Sequence, residues 1–312
     1  MKRWGSVLLI GAVLWVSMAA TALAWEKGTH AYIADLLRKK GGAQNLEELY
    51  AAMAPDAFNF IFADPGPWLY ERTHFDFAKV KNAAKTGTER SAAAGFLSHN
   101  NVWGADTTAH TASRTLDPGE GYIITKAKAL HGILMADPTY AAFFGDPAVL
   151  GVALEICHNL VEAGGDVILK NCDPGLGRKL VSIVNRPKPT VQGLMIKAYA
   201  ADLADHSGLT AAEAAGLIVQ AESEFRMGAI GYGYLLQGDD ETLIANIVGQ
   251  FKSLAAAFLA SYGLPVPDDA VLDALIRGGL DAAMMICAGD YMTEVQATAE
   301  FVAANLKAYG IK

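Results

Sequence analysis

The sequence predicts an all-α protein, and three observations carry that prediction. Apolar residues recur at helical spacing in the first half, as in Ile33, Leu36 and Leu37. From Thr190 to Lys312 the chain is alanine-rich and helical in period, with room for four or five helices and no convincing strand. Glycine and proline punctuate these patterns at Ser207-Gly208, Gly238-Asp239 and Gly263-Leu264-Pro265, where helices stop.

The first 24 residues have the order of a secretory leader: Lys2 and Arg3, an apolar run from Val7 to Val16, and small residues closing at Ala22-Leu23-Ala24. The run is short for a membrane anchor, so cleavage after Ala24 is expected to give an exported chain, periplasmic or extracellular, with no transmembrane span. The mature chain would start at Trp25 and hold 288 residues (312 minus 24), enough for one large domain or two modest ones. Losing the two leader cations takes the formal charge from -8 to -10, with 23 Lys plus Arg against 33 acids. Such a chain lacks the basic footprint that duplex nucleic acid requires, although a divalent cation cluster can reverse the field locally for a phosphate. Three cysteines, Cys157, Cys172 and Cys287, allow at most one disulfide.

Along the mature chain, WEKGTHAYIADLLRKK predicts a first helix that begins near His30 and ends at Gly41-Gly42. A second, Leu46 to Ala54, is closed by Ala54-Pro55-Asp56, since the residue before proline avoids helical angles. Asp64 to Phe77 (DPGPWLYERTHFDF) is aromatic and proline-punctuated. It reads as a poor helix and as a cleft wall containing His74. Helical patterns follow from Gly121 to Ala136 and from Pro147 to Leu169, the latter placing His158 and Glu162 one turn apart. Its apolar flanks Ile156, Leu160 and Val161 argue for a buried helix, and a buried carboxylate needs a partner or a cation. Pro187-Lys188-Pro189 is the best boundary, dividing 25–189 from an alanine-rich 190–312 packed against it, whose His206 reads as structural.

The central stretch is Gly95 to Ser113, GFLSHNNVWGADTTAHTAS. On a helix, Asp106 and His110 lie one turn apart, and His99 falls eleven residues before His110 on nearly the same azimuth. A carboxylate and an imidazole so placed can share a divalent ion or hold two neighbouring ones, while an isolated pair of this kind is more often a capped polar patch.

Taken in order, Trp25, His30, Asp56, His74, His99, Asp106, His110, His158 and Glu162 form a specific pattern. From Trp25 to about Asp166 the chain resembles the zinc-dependent phospholipase C family, which shares a helical fold and a three-metal site with single-strand-specific fungal nucleases. The resemblance implies an all-α, multi-helix phospholipase C/nuclease-type bundle with a trinuclear zinc site. It assigns Asp56, His74, His99 and Asp106 to one ion, and His110, His158 and Glu162 to a second. The Trp25 amine and carbonyl with His30 and bridging Asp106 would hold a third. Mixed imidazole and carboxylate ligands suit catalytic zinc, two to three ions in all. Such a cluster lowers the pKa of a bound water and clamps phosphate oxygens. Asp56 is then the first candidate for general base and Glu26 the second.

One spacing departs from the family. His99 and Asp106 are seven residues apart rather than four, a rise of about 10 Å on a straight helix, too far for two ligands of one ion. Either the helix breaks within Asn100 to Gly104, or His99 serves elsewhere. Three functions follow. The leading one is a phosphodiesterase acting on phospholipid head groups, favoured by ligand order and by the scarcity of cysteine. The second is a single-strand nuclease or nucleotidase, for which Trp68, Tyr70 and Phe75 would stack bases. The third is a non-catalytic metal-binding protein of the same fold.

Overall fold

The computed structural model describes residues 25–37, 46–59, 61, 64–117, 119–185, 189–261 and 265–311. The leader, the Gly41-Gly42 stop, the Pro187-Lys188 part of the boundary and Gly263-Leu264 of the last helix break lie outside the described residues. Those residues form fifteen α-helices and two 3-10 turns, with no strand among them. The first part comprises α1 (Lys27–Leu36), α2 (Leu46–Ala51), α3 (Gly66–His74), α4 (Ala78–Ala83), α5 (Gly87–His99), α6 (Ala105–His110), α7 (Tyr122–Leu134) and α8 (Pro138–Phe144). Then come α9 (Leu150–Cys172), α10 (Leu176–Val184), α11 (Thr190–Ser207), α12 (Ala211–Leu235), α13 (Asp240–Ser261), α14 (Asp269–Cys287) and α15 (Tyr291–Ala308).

The axis of the molecule is α9, where every residue from Ile156 to Val167 is buried. At about 1.5 Å per residue its 23 residues span roughly 35 Å. Helices α7 and α14 cover one side and α1 packs on another. The remaining N-terminal elements build around α2 and α5, whose backbones meet at Gly95. A Cβ there would lie 1.9 Å from the Glu48 carbonyl oxygen, so only glycine permits the approach. Thr86 and Glu89 close the start of α5 with a reciprocal capping box, and Thr210 and Glu213 do the same for α12.

The helices beyond residue 190 share one apolar core with those before it. Helix α15 packs on α1, α5 and α6, while α11 packs on α4 and α5. Buried polar contacts join the two parts: Tyr50 donates to Glu222 at 2.8 Å, Ser113 donates to Glu294 at 2.9 Å, and the Thr108 and Thr298 hydroxyls meet at 2.8 Å. Each satisfies a group whose burial alone would cost about 1–3 kcal/mol. Helix α11 stops at Gly208, whose φ of 64° is the left-handed conformation glycine supplies.

Four readings need correction. The first helix ends at Leu36, before the glycine pair. The second ends at Ala51, and Pro55 instead opens a 3-10 turn, Ala54–Phe58, that contains Asp56. The proline-rich segment is helical: Pro67 falls in the first turn of α3, where its missing N–H costs no hydrogen bond. The stretch from Gly95 to Ser113 is two helices, so the shared azimuth of His99 and His110 does not exist.

Candidate metal centre

The break between α5 and α6 makes the centre. After His99 the Asn100 side chain turns the chain, its Oδ1 accepting from the backbone N–H groups of Val102 (2.8 Å), Trp103 (2.8 Å) and Gly104 (3.2 Å). Gly104 sits so close to this turn that a Cβ would lie 2.5 Å from the His99 carbonyl. The ten-ångström rise is thereby cancelled, and His99 Nε2 comes within 3.1 Å of Asp106 Oδ2. Gly104→Ala is expected to cost about 1–3 kcal/mol, since the backbone contact cannot relax without moving Asp106. Chemical denaturation together with zinc affinity would measure both effects.

Around this pair stand Asp56 in its 3-10 turn, His74 at the last position of α3, and His30 in the first turn of α1, all essentially buried. The Nε2 atoms of His74 and His99 are 3.1 Å apart. His74 Nε2 lies 3.4 Å from Asp56 Oδ1 and 3.6 Å from Asp106 Oδ2, and His99 Nε2 lies 3.4 Å from Asp56 Oδ1. With the 3.1 Å His99–Asp106 contact, five donor–donor distances among these four residues fall between 3.1 and 3.6 Å, while the two acids fall in different donor groups: Asp106 with His74 and His99, and Asp56 with His30 and His99. Four donors at zinc bond lengths of about 2.0–2.1 Å define a tetrahedron with edges of roughly 3.3–3.4 Å.

The surrounding hydrogen bonds orient both rings and fix the His99 tautomer. His99 Nδ1–H donates to the Ala52 carbonyl at 2.8 Å and His74 Nδ1–H to the Tyr70 carbonyl at 3.1 Å. A carbonyl only accepts, so in the neutral ring His99 Nε2 presents a lone pair; His74 Nδ1 also meets the Thr73 hydroxyl at 2.9 Å, which can donate or accept. Asp56 Oδ1 also accepts from Asn59 Nδ2 at 3.0 Å, while Asp56 Oδ2, both oxygens of Asp106, and His30 Nε2 are buried with no hydrogen-bond partner. Asp106 Oδ1 faces His30 Nε2 at 3.3 Å. Buried carboxylate oxygens of this kind are costly unless a proton on a facing imidazole or a bound cation completes them.

Electrostatics agree. Burial resists charge on His99, but Asp106 and Asp56 outweigh it and hold the ring well above its ordinary value, a proton supplying the positive charge the acids require. Burial likewise opposes the Asp106 carboxylate, yet His99 and His30 keep it well below the usual range. Burial and then His99 lower His30.

A second group lies beside the first. His110, at the end of α6, shares a donor cluster with His158 and Glu162 of α9. His158 Nε2 is 2.7 Å from Glu162 Oε1, and the His110 and His158 rings are 5.2 Å apart. Burial, then His158, takes His110 down to about 3, so its ring is neutral. Burial pushes Glu162 well above the carboxylate range.

Trp25 is fully buried. Its indole donates to the Ala105 carbonyl at 2.9 Å and stacks on Tyr122, which brings the residue next to Asp106 in the chain. Glu26 stands outside the donor groups: its carboxylate caps α1 by accepting from Lys27 N and pairs with Lys27 Nζ. His206 stacks on Trp68 and contacts Asp64 at 3.1 Å, a structural role. The described cysteines are free.

Sequence reading missed Asn101, Tyr70's place over His74, and Asp166. Only Asp166 had a signal, because residues 158, 162 and 166 repeat at one-turn spacing on α9. Its carboxylate holds the start of α1, accepting from Gly28 N at 2.9 Å and from Thr29 Oγ1 at 2.6 Å, which sets His30 in place. No protein-family model, curated protein or solved structure matches the chain.

Proposed function

We propose that the protein is an exported zinc-dependent phosphodiester hydrolase of phospholipase C type, acting on phospholipid head-group diesters. The observation that carries this reading is the buried convergence of the His74, His99 and Asp106 donors, with Asp56 Oδ1 3.4 Å from both imidazole nitrogens, and a further donor group of His110, His158 and Glu162. Asp56, His74, His99 and Asp106 would hold one ion, His110, His158 and Glu162 a second, and His30, Asp106 and the Trp25 terminus a third. Bound zinc would supply a water of lowered pKa and positive charge for the phosphate oxygens. Asp56, with one oxygen engaged by Asn59 and the other without a hydrogen-bond partner, would take the proton of an attacking water. Glu26, tied to Lys27, is the weaker candidate. Two exposed apolar side chains stand near the donors in the chain: Phe75 follows His74 directly and Val102 lies in the turn after His99, and Asn101 N donates to the His74 carbonyl. Their apolar surface suits an acyl-bearing substrate.

The same Phe75 ring, set edge-on against Tyr70, favours a second reading, a single-strand nuclease or nucleotidase. Zinc-loaded protein incubated separately with phosphatidylcholine vesicles and single-stranded DNA is expected to release diacylglycerol. Short oligonucleotides instead would select the second reading. Zinc binding with neither product would leave a non-catalytic metal protein.

A residue added before Trp25 is expected to remove about one zinc per chain and most of the activity, because it converts the α-amine into a peptide nitrogen. A free amine, with an ordinary pKa of about 7.7–8.0, can release its proton to water and give its lone pair to a nearby cation, whereas an amide N–H binds poorly. Elemental analysis of trimmed and extended protein tests this, and equal zinc content would remove Trp25 from the centre.

A further inference from the structure

We infer that Asn101 is a positioning residue that holds His110 in the tautomer needed of a ligand, with Nε2 bare; the inference rests on the metal centre proposed above. His110 ends a helix of only six residues, so its ring orientation needs outside support. Asn101 supplies it from the turn after α5. Its Oδ1 lies 3.1 Å from His110 Nδ1 and its Nδ2 donates to the Tyr70 hydroxyl at 2.9 Å. Tyr70 in turn stacks on His74 with ring centres 4.0 Å apart, and the Asn101 backbone N–H donates to the His74 carbonyl at 3.0 Å. One side chain thus fixes the second donor group against the first.

A carboxamide oxygen accepts and cannot donate, so this contact requires the proton of the neutral ring on Nδ1. His110 Nε2 is buried and has no hydrogen-bond partner. Were the amide reversed, its NH2 would meet Nδ1 and drive the proton to Nε2, leaving a buried donor without an acceptor and no lone pair for a cation. The arrangement with Oδ1 toward the ring leaves instead a bare acceptor directed at the group it shares with His158 and Glu162. Outer hydrogen bonds of this kind usually set a ligating imidazole's tautomer, and losing one weakens metal affinity by about 10–100-fold.

The test compares the mature wild-type protein with Asn101→Leu, which removes both hydrogen bonds at similar volume, and Asn101→Asp, which keeps an acceptor for Nδ1–H. In the metal-free wild-type protein, nitrogen-15 spectra of the imidazoles should show His110 protonated at Nδ1. In Asn101→Leu the proton should move to Nε2. Zinc competition with a chromophoric chelator should show one ion bound about 10–100-fold more weakly in Asn101→Leu, the others unchanged, and recovery to within a few-fold in Asn101→Asp. Circular dichroism checks folding; should Asn101→Leu fail to fold, the wild-type tautomer and Asn101→Asp decide. The inference is overturned by an Nε2–H tautomer in the wild type, by wild-type affinity for every ion in Asn101→Leu, or by loss of affinity in Asn101→Asp. A wild-type protein that binds no zinc but carries Nδ1–H would sink the metal centre and leave the role of Asn101 in setting the ring intact.

Discussion

Asp106→Asn is expected to remove more than one zinc ion per chain and to reduce diester hydrolysis by a factor of about 10³ or more, the equivalent of several kcal/mol of lost charge stabilisation. The reason is position. Asp106 Oδ1 faces His30 at 3.3 Å, while Oδ2 faces His99 at 3.1 Å and His74 at 3.6 Å, so one carboxylate serves imidazoles that belong to two sets. An amide keeps the shape, loses the charge, and turns an NH2 toward ring nitrogens that need to present lone pairs. The fold should survive, because the substitution keeps the side-chain shape and leaves the apolar core around the centre untouched. Elemental analysis showing an unchanged zinc count in Asp106→Asn would rule out the bridge.

Replacing His158 or Glu162 with alanine is expected to abolish turnover while removing a single ion, the one shared with His110. The two side chains are 2.7 Å apart and buried, and stranding one member of a buried pair costs about 3–5 kcal/mol when nothing else compensates. The helical signal should nonetheless persist. Helix α9 is held along its length by Ile156, Cys157, Leu160, Val161 and Val167, none of which either mutation touches. Full diester turnover by either variant at saturating zinc would reassign the pair as a structural contact.

Much of the helical architecture was legible because it depends on local chemistry. The stops at Ser207-Gly208 and before Asp240, and the patterns behind α7 and α9, follow from glycine, proline and apolar spacing. The donors His158 and Glu162 were legible as a pair because one helical turn brings them together. His99 and Asp106 were harder. Their spacing excluded a shared ion on a straight helix, and Asn100 and Gly104 marked where a break was available, but the direction of the turn depends on three backbone N–H groups converging on one Asn100 oxygen. The helix α3 was misread because two prolines suggested interruption, whereas Pro67 lies in a first turn that tolerates it. Asn101 gave no sign of its place between Tyr70 and His110, since its partners are 31 and nine residues away and meet only in the folded chain.

The central claim is that His74, His99, Asp56 and Asp106 surround one ion. Anomalous diffraction at the zinc absorption edge, from crystals of the mature protein grown with zinc, tests it most directly. A peak is expected about 2.0–2.1 Å from Nε2 of His74 and His99 and from Oδ1 of Asp56 and Oδ2 of Asp106, with a second peak among His110, His158 and Glu162. Crystals with zinc present in excess and no anomalous density between those four donors would contradict it.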